Sequence, residues 1–176
     1  YREGPDGFLA VVPVAGVALA DLDLPPDPLV LVCEGLEKPG NLGAVLRTAD
    51  AAGVAAVVAA DPVTDWGNPN VVRASKGTVF SVPVASATTE EVIAWVRRHG
   101  IRLVATTPDT DTAHTAVDYR GGVAIAVGTE KEGLTDTALD AADARVRIPM
   151  VGRVNSLNAA TAAAVVVYEA VRQRSS

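Results

Sequence analysis

The chain has 176 residues and a formal net charge of −6, with 49% apolar and 20% charged residues. This length and composition fit one globular domain and exclude a disordered tail. Taken over the whole chain, the acidic balance argues against a large electrostatic footprint for nucleic acid. No apolar run approaches the roughly 18 residues of a membrane span, so we expect no membrane partner. The one cysteine, Cys33, cannot form an internal disulfide, so a reducing cytoplasm is the simplest compartment. Its place in the apolar run 29–33 predicts a buried thiol. Because the chain has only two histidines in addition to this cysteine, we expect no metal site.

Short valine-rich runs alternate with longer alanine-rich stretches along the chain. The runs lack polar alternation, which predicts strands buried on both faces and therefore a mostly parallel sheet. We predict strands at 8–14, 29–33, 54–60, 101–106, 122–127 and 145–148. We predict helices at 41–52, 89–99, 135–142 and 156–173. This alternation is typical of an α/β layered domain, and the prolines and aspartates of residues 15–28 indicate a connector.

The last predicted helix has the clearest apolar period. Steps of three and four residues predict one packed face, formed by Leu157, Ala160, Thr161, Ala164, Tyr168 and Val171.

Residues 37–50 are the first of three segments in which polar side chains stand at the ends of predicted elements. They follow a strand and open a helix, and they contain Asn41 and Arg47. A Pro-Gly turn, a helix cap at Asn41 and a solvated Arg47 would explain the segment without any chemistry. The two residues are separated by about 600° around a helix, so they do not share a face. If both serve one site, Asn41 must act from the loop end or two subunits must contribute.

Two later segments have the same character. Residues 127–134 end a buried strand in Gly128 and continue into a charged turn with Glu130. They predict either a tight turn or a ligand site at the carboxyl end of a parallel strand, where a glycine lets backbone approach a ligand. Residues 146–158 end in Asn-Ser-Leu-Asn, which fits a Ser or Asn helix cap or a helix start that holds an anion or a ribose.

Together and in this order, the three segments resemble motifs one, two and three of the SpoU (TrmH-type) branch of the SPOUT RNA methyltransferases. The matching stretches are Asn-x-Gly-x-x-x-Arg-Thr-Ala-Asp at 41–50, Gly-x-Glu-x-x-Gly at 128–133 and Ile-Pro-Met…Ser-Leu-Asn at 148–158. Residues 70–77 and 80–84 also look like that family. The resemblance runs over nearly the whole chain.

The resemblance implies a parallel α/β sheet with helices on both faces and a C-terminal segment threaded into a deep trefoil knot. Composition alone could not predict a knot, because knots are rare. In the family the knot forms the pocket for S-adenosylmethionine. Carried over position by position, the cofactor-binding residues are Thr106, Thr107, Gly128, Ile148, Met150, Ser156 and Leu157.

The resemblance also implies methyl transfer to a ribose 2′-hydroxyl of RNA, by a homodimer with its active site at or near the interface. The family's catalytic and RNA-site positions match Asn41, Arg47, Glu130, Ser156 and Asn158. A guanidinium is a poor base. We therefore assign Arg47 to the target phosphate and the developing alkoxide.

Two residues depart from the family pattern. Lys38 and Asn155 stand where acidic residues are common, and we expect neither to touch the core set. Ribosomal RNA of the 23S type is the favoured substrate, because residues 2–8 resemble the junction after an N-terminal RNA-binding domain in close relatives. This predicts that residues 1–28 are a strand and linker at the end of such a domain. Residues 29–176 would be the catalytic domain.

Three alternative functions remain open. A transfer-RNA ribose methyltransferase often carries a short basic C-terminal extension, of which only Arg172 and Arg174 are present. A non-catalytic RNA-binding factor would be expected to have lost Asn41, Arg47 or Glu130. A small-molecule α/β enzyme is disfavoured because the chain has neither a Rossmann nor a P-loop fingerprint.

The distribution of charge qualifies the acidic average. A local basic region is predicted from Arg145, Arg147 and Arg153, with Arg73 and Lys76 beside another motif-like loop. We expect this chain to bind cofactor well and RNA poorly, with a shallow dependence on salt.

Overall fold

The computed structural model describes residue 7 and residues 11–175. Within these residues six strands form one sheet: β1 (Leu29–Glu34), β2 (Ala56–Ala60), β3 (Val84–Ala87), β4 (Arg102–Thr106), β5 (Val123–Val127) and β6 (Ala144–Val146). Their order across the sheet is β3-β2-β1-β5-β4-β6, and every neighbouring pair is parallel. The predicted parallel sheet is confirmed.

Helices cover both faces of this sheet, as predicted. They are α1 (Pro39–Ala52), α2 (Pro69–Ser75), α3 (Thr89–Arg98), α4 (Asp136–Ala141) and α5 (Ala159–Arg174). Helices α1, α2 and α5 pack on one face, and α3 and α4 pack on the other. Among the described residues, no helix combines the length and the apolar character needed to cross a bilayer.

Strand β1 shows why the apolar runs form central strands. All six of its residues are buried, and successive side chains alternate between the two helical layers. Cys33 lies in the α1, α2 and α5 layer, where burial raises the pKa of its thiol to about 12. This thiol is therefore a core residue and not a nucleophile.

One predicted strand needs correction, and two elements of the structure were not predicted. Residues 11–14 of the predicted first strand lie in no strand, and residues 8–10 lie outside the described residues. Instead, Val17 makes a single parallel bridge to Ala85 at the β3 edge of the sheet. Strand β3 and helix α2 had no counterpart in the prediction. They are only four and seven residues long, too short to show a clear period.

The packed face of α5 also differs from the prediction. Its buried residues are Ala159, Ala160, Ala163, Val166, Val167 and Ala170. Tyr168, placed by the apolar period in the packed face, is 50% exposed. Alanine and valine occupy most of this helix, so its faces are similarly apolar. The face of α5 that packs against the sheet is the one without the bulky Tyr168 ring.

Candidate active site at the carboxyl edge of the sheet

The strand order places a switch point between β1 and β5. The chain leaves β1 towards β2 on one side, and it leaves β5 towards β6 on the other side. Open parallel sheets bind ligands outside the carboxyl ends of strands at such a point. Here the edge is formed by the start of α1 and by residues 128–133, which follow β5.

Three of the predicted site residues meet at this edge. Asn41 Nδ2 donates to Glu130 Oε1 at 3.2 Å, and Asn158 Nδ2 donates to Asn41 Oδ1 at 3.0 Å. Asn158 Nδ2 also donates to Glu130 Oε1. Asn41 is 89 positions from Glu130 and 117 positions from Asn158. The fold therefore gathers side chains from three distant segments into one cluster, which we call the amide–carboxylate cluster (Asn41, Glu130 and Asn158).

Asn158 reaches the cluster because it is the N-cap of α5. Its Oδ1 accepts hydrogen bonds from the backbone N–H groups of Ala160 at 3.0 Å and Thr161 at 3.4 Å. The cap thus holds the amide oxygen on the helix and turns the NH₂ group towards Glu130. The helix begins three residues later than predicted, and the cap is Asn158.

Asn41 belongs to the first turn of α1. The helix begins at Pro39, whose missing N–H suits this position. Lys38 is the N-cap residue, and its side chain makes no capping bond. The interpretation of Asn41 as the cap, or as a residue acting from the loop end, is therefore wrong.

A tight turn presents Glu130. Thr129 and Gly133 exchange two backbone hydrogen bonds, at 3.0 and 3.1 Å. A Cβ on Gly128 would lie 2.1 Å from the carbonyl carbon and oxygen of Gly133. Gly128 is thus required by the chain's own turn, which folds back onto the end of β5. The close approach predicted for a ligand is made here by backbone.

Lys38 touches the core set, contrary to the prediction. Its Nζ donates to Glu130 Oε2, and this ion pair, with the hydrogen bond from Asn41, lowers the pKa of Glu130. The side chain of Glu130 is 29% exposed. Glu130 therefore stands as an anion whose two oxygens both have partners. Lys38 directly precedes α1, and its charge is opposite to that of Glu130. This position and charge are the signal in the sequence that could have identified Lys38 as a site residue.

Arg47 and Ser156 do not join the cluster. Arg47 is exposed on α1, and within residues 11–175 it has no hydrogen bond or ion pair. As predicted, it lies on a different face of the helix from Asn41. Ser156 is also exposed, and in the described part of the chain its hydroxyl makes no hydrogen bond.

A second carboxylate at this edge serves the opposite layer. Glu34, at the end of β1, is only 4% exposed. It accepts hydrogen bonds from the hydroxyl of Thr89 at 2.7 Å and from the N–H of Thr135 at 2.7 Å. These residues start α3 and α4, so Glu34 anchors two helices to the sheet. Its burial and its helix-capping partners mark it as structural.

The residues predicted to bind the cofactor fall on the same edge. Thr106 ends β4 and Thr107 follows it, Gly128 follows β5, and Ile148 follows β6. The Thr106 hydroxyl donates to the backbone of Ala126 at 2.8 Å, so it is used within the sheet.

Residues 147–158 cross this edge. They start at β6, on the outer side of β4, and end at Asn158, which contacts residues next to β1 and β5. Three apolar side chains of this stretch are half-buried, Ile148, Met150 and Leu157. The strand ends and this crossing segment thus bring half-buried apolar side chains and backbone polar groups to one edge of the sheet.

Two of the five cations predicted to form a basic region, Arg145 and Arg147, have acidic partners. Arg145 Nη2 pairs with Asp140 Oδ1 at 2.8 Å, and Arg147 Nη2 lies 3.7 Å from Asp111 Oδ1. These two arginines therefore lie on acidic neighbours and do not form a free cationic surface.

The arrangement agrees with known proteins. The SpoU rRNA Methylase family matches residues 28–168. The chain is 36% identical over 149 residues to the 23S rRNA (guanosine-2′-O-)-methyltransferase RlmB of Ralstonia nicotianae, covering 84% of this chain and 60% of that protein. A crystal structure of an RNA 2′-O ribose methyltransferase matches with TM-score 0.83 and 46% identity, over 98% of this chain and 62% of the other.

A second solved structure carries a ligand. It is the SpoU methyltransferase AviRb from Streptomyces viridochromogenes in complex with the cofactor AdoMet. Its TM-score is 0.84 at 36% identity, over 90% of this chain and 62% of that chain. The chain spans 60% of the length of the curated relative named above. With all three sequence motifs meeting at one edge of a parallel sheet, the chain belongs to the SpoU rRNA methylase family.

Proposed function

We propose that the protein is an S-adenosylmethionine-dependent RNA ribose 2′-O-methyltransferase that acts on ribosomal RNA. The observation that carries the proposal is the amide–carboxylate cluster, because each of its members comes from a different family motif. Ribosomal RNA is favoured over transfer RNA by the similarity to a protein named for 23S rRNA. An RNA substrate is consistent with the cytoplasmic location predicted from the single cysteine.

The segment of residues 147–158 fits the proposed cofactor. Its half-buried apolar side chains suit a flat purine ring, and the backbone at Thr107, Gly128 and Ile148 supplies polar groups. An AdoMet complex of a relative at 36% identity supports the same assignment. When bound, S-adenosylmethionine supplies an electrophilic methyl group on a sulfonium.

The cluster positions groups and does not supply a base. Both oxygens of Glu130 accept hydrogen bonds, and Asn158 uses its oxygen for the helix cap and its NH₂ for Asn41 and Glu130. A carboxylate with this many donors is held as an anion. We assign it the role of fixing the starts of α1 and α5 and the turn after β5 around the ribose, so that the two reactants meet in alignment.

Arg47 acts, in our proposal, in the site of a second subunit. Its position on α1 keeps it away from the cluster of its own chain, which leaves the partner's cluster as its place of action. We propose a homodimer, supported by exposed apolar side chains that a partner could cover, Val151, Val154 and Tyr168. Arg47 would hold the target phosphate and stabilise the developing alkoxide.

Two further features complete the proposal. We propose that the C-terminal segment is threaded into the trefoil knot of the family. We also propose that residues 29–176 are the catalytic domain, and that residues 1–28 are a linker after an RNA-binding domain.

The experiment begins with the purified chain. Calorimetry with S-adenosylmethionine and S-adenosylhomocysteine should show binding, and absence of heat with both would contradict the proposal. Labelled methyl transfer into 23S rRNA and transfer-RNA transcripts follows, with mass spectrometry to locate the methyl group. We expect 2′-O-methylribose in the ribosomal transcript. Methylation of transfer RNA alone would establish the alternative substrate.

A further inference from the structure

Lys76 occupies a backbone conformation that disfavours a lysine. It is the C-cap of α2 with φ +53° and ψ +32°, in the left-handed region. Glycine or asparagine is usual there, because a larger side chain crowds the following carbonyl. Lys76 is exposed, and within residues 11–175 its ammonium group has no carboxylate partner. Nothing in the packing accounts for its side chain, and strain of this kind points to function.

Two contacts locate Lys76 beside Arg47. A Cβ on Gly43 would lie 2.4 Å from Ala74 Cβ and 2.7 Å from Ser75 N, so α1 and α2 touch there backbone to backbone. Further along α1, the Ser81 hydroxyl donates to Asp50 Oδ1 at 3.0 Å.

Arg47 stands between these contacts, one turn beyond Gly43 and on the same face of α1. Residues 76–78 stand between the same contacts on the facing chain. Arg47 and Lys76 therefore border one seam between α1 and α2.

Arg73 adds a third cation near this seam. It is exposed one position before Ala74, and its Nη2 donates to Asn70 Oδ1 at 2.5 Å. The amide is neutral, so it orients the guanidinium without cancelling its charge. Asp50 is the carboxylate of the Ser81 contact and already accepts that hydroxyl. Arg73 and Lys76 therefore differ from Arg145 and Arg147, each of which has an aspartate partner.

We propose that Arg73 and Lys76 bind the phosphodiester backbone of the RNA substrate, as a continuation of the phosphate contact of Arg47. The inference rests on the proposed function and deepens it, because it names a second group of RNA contacts. Contacts of this kind position RNA and do not select its sequence. They use charge and exposure, which these side chains have, and need no base-specific geometry.

The test measures RNA affinity against salt concentration, starting at low salt. The variants are Lys76→Gly, Arg73→Gln and their combination. Each lost phosphate contact should lower the slope of log K against log salt by about 0.7–0.9. Each should weaken binding about threefold to tenfold, alike for different RNA sequences. Lys76→Gly suits the left-handed position, so its Tm should not fall and folding will not confuse the result. Lys76→Arg, which keeps the charge, should keep the slope.

Arg98→Gln is the matched control. Arg98 is an exposed arginine at the end of α3, on the opposite layer of the sheet, and its loss changes net charge equally. It should leave the slope unchanged. A wild-type slope in Lys76→Gly and Arg73→Gln, or an equal loss in Arg98→Gln, would overturn the inference. A wild-type chain that binds RNA but transfers no methyl group to it would instead contradict the proposed function, so the two failures are distinct.

Discussion

Two positions on α1 behave in opposite ways. Asn41, in the first turn, is held by Glu130 and Asn158 before any ligand arrives. Arg47, less than two turns later, is exposed and has no partner within residues 11–175. The contrast shows that one helix can carry both a group organised by its own chain and a group left free for another molecule. Changes that separate the two positions test this division.

The largest effect is expected from Asn158→Asp. Aspartate caps a helix as well as asparagine does, but it replaces the donor that faces Glu130 with a second carboxylate. We expect methyl transfer to fall by about 100-fold or more. Tm should fall only slightly, because repulsion between two exposed carboxylates is weak. Asn68→Asp, the same change at the N-cap of α2, controls for stability. A large drop in Tm for Asn158→Asp alone would show that the cluster is mainly structural.

Arg47→Ala tests the free position. We expect methyl transfer to fall by about 100-fold. Calorimetry should give unchanged cofactor affinity, because Arg47 is absent from the edge where the cofactor is placed. Equal loss of activity and cofactor binding would make Arg47 a structural residue.

Gly43→Ala should disrupt the packing of α1 against α2, and α1 carries both Asn41 and Arg47. The new Cβ would meet Ala74 at 2.4 Å, and overpacking of this kind destabilises by about 1–3 kcal/mol. Gly40→Ala is the matched control, since a Cβ there meets nothing within 4 Å. The control should stabilise the helix by up to about 1 kcal/mol. Urea unfolding measures both, and equal midpoints would contradict the close packing of α1 against α2.

The smallest effect is a shift in pH dependence for Lys38→Met. Lys38 lowers the pKa of Glu130, so activity that needs the carboxylate persists into acid and is lost as pH falls through this lowered pKa. Removing Lys38 raises that pKa, and the acidic limb of the pH–rate profile should move to higher pH. At neutral pH the loss should be no more than about fivefold, because the pair is exposed.

Lys131→Met is the control for this change. Lys131 pairs with Glu132 at 2.8 Å and is 91% exposed. Lys131→Met should leave the acidic limb of the pH–rate profile where it is in the wild type. Lys38→Arg, which keeps the charge beside Glu130, should also keep the wild-type limb. An unmoved limb in Lys38→Met would remove Lys38 from the site.

The sequence predicted the central strands and all three residues of the amide–carboxylate cluster, and the reasons are local. β1 and β5 are continuous apolar runs because both faces are buried. Asn41, Glu130 and Asn158 stand in motifs recognisable one at a time. The contact of Lys38 with Glu130, 92 positions away, needs the tertiary fold. The packed face of α5 could not be predicted, because alanine and valine occur on all sides of that helix.

Mixing two inactive variants tests the central claim most directly. Arg47→Ala keeps the cluster, and Asn158→Asp keeps Arg47. If a site combines the cluster of one subunit with Arg47 of its partner, a mixed dimer contains one intact site. Random exchange of subunits should then restore about a quarter of wild-type activity. A mixture that exchanges subunits and stays inactive would contradict the account.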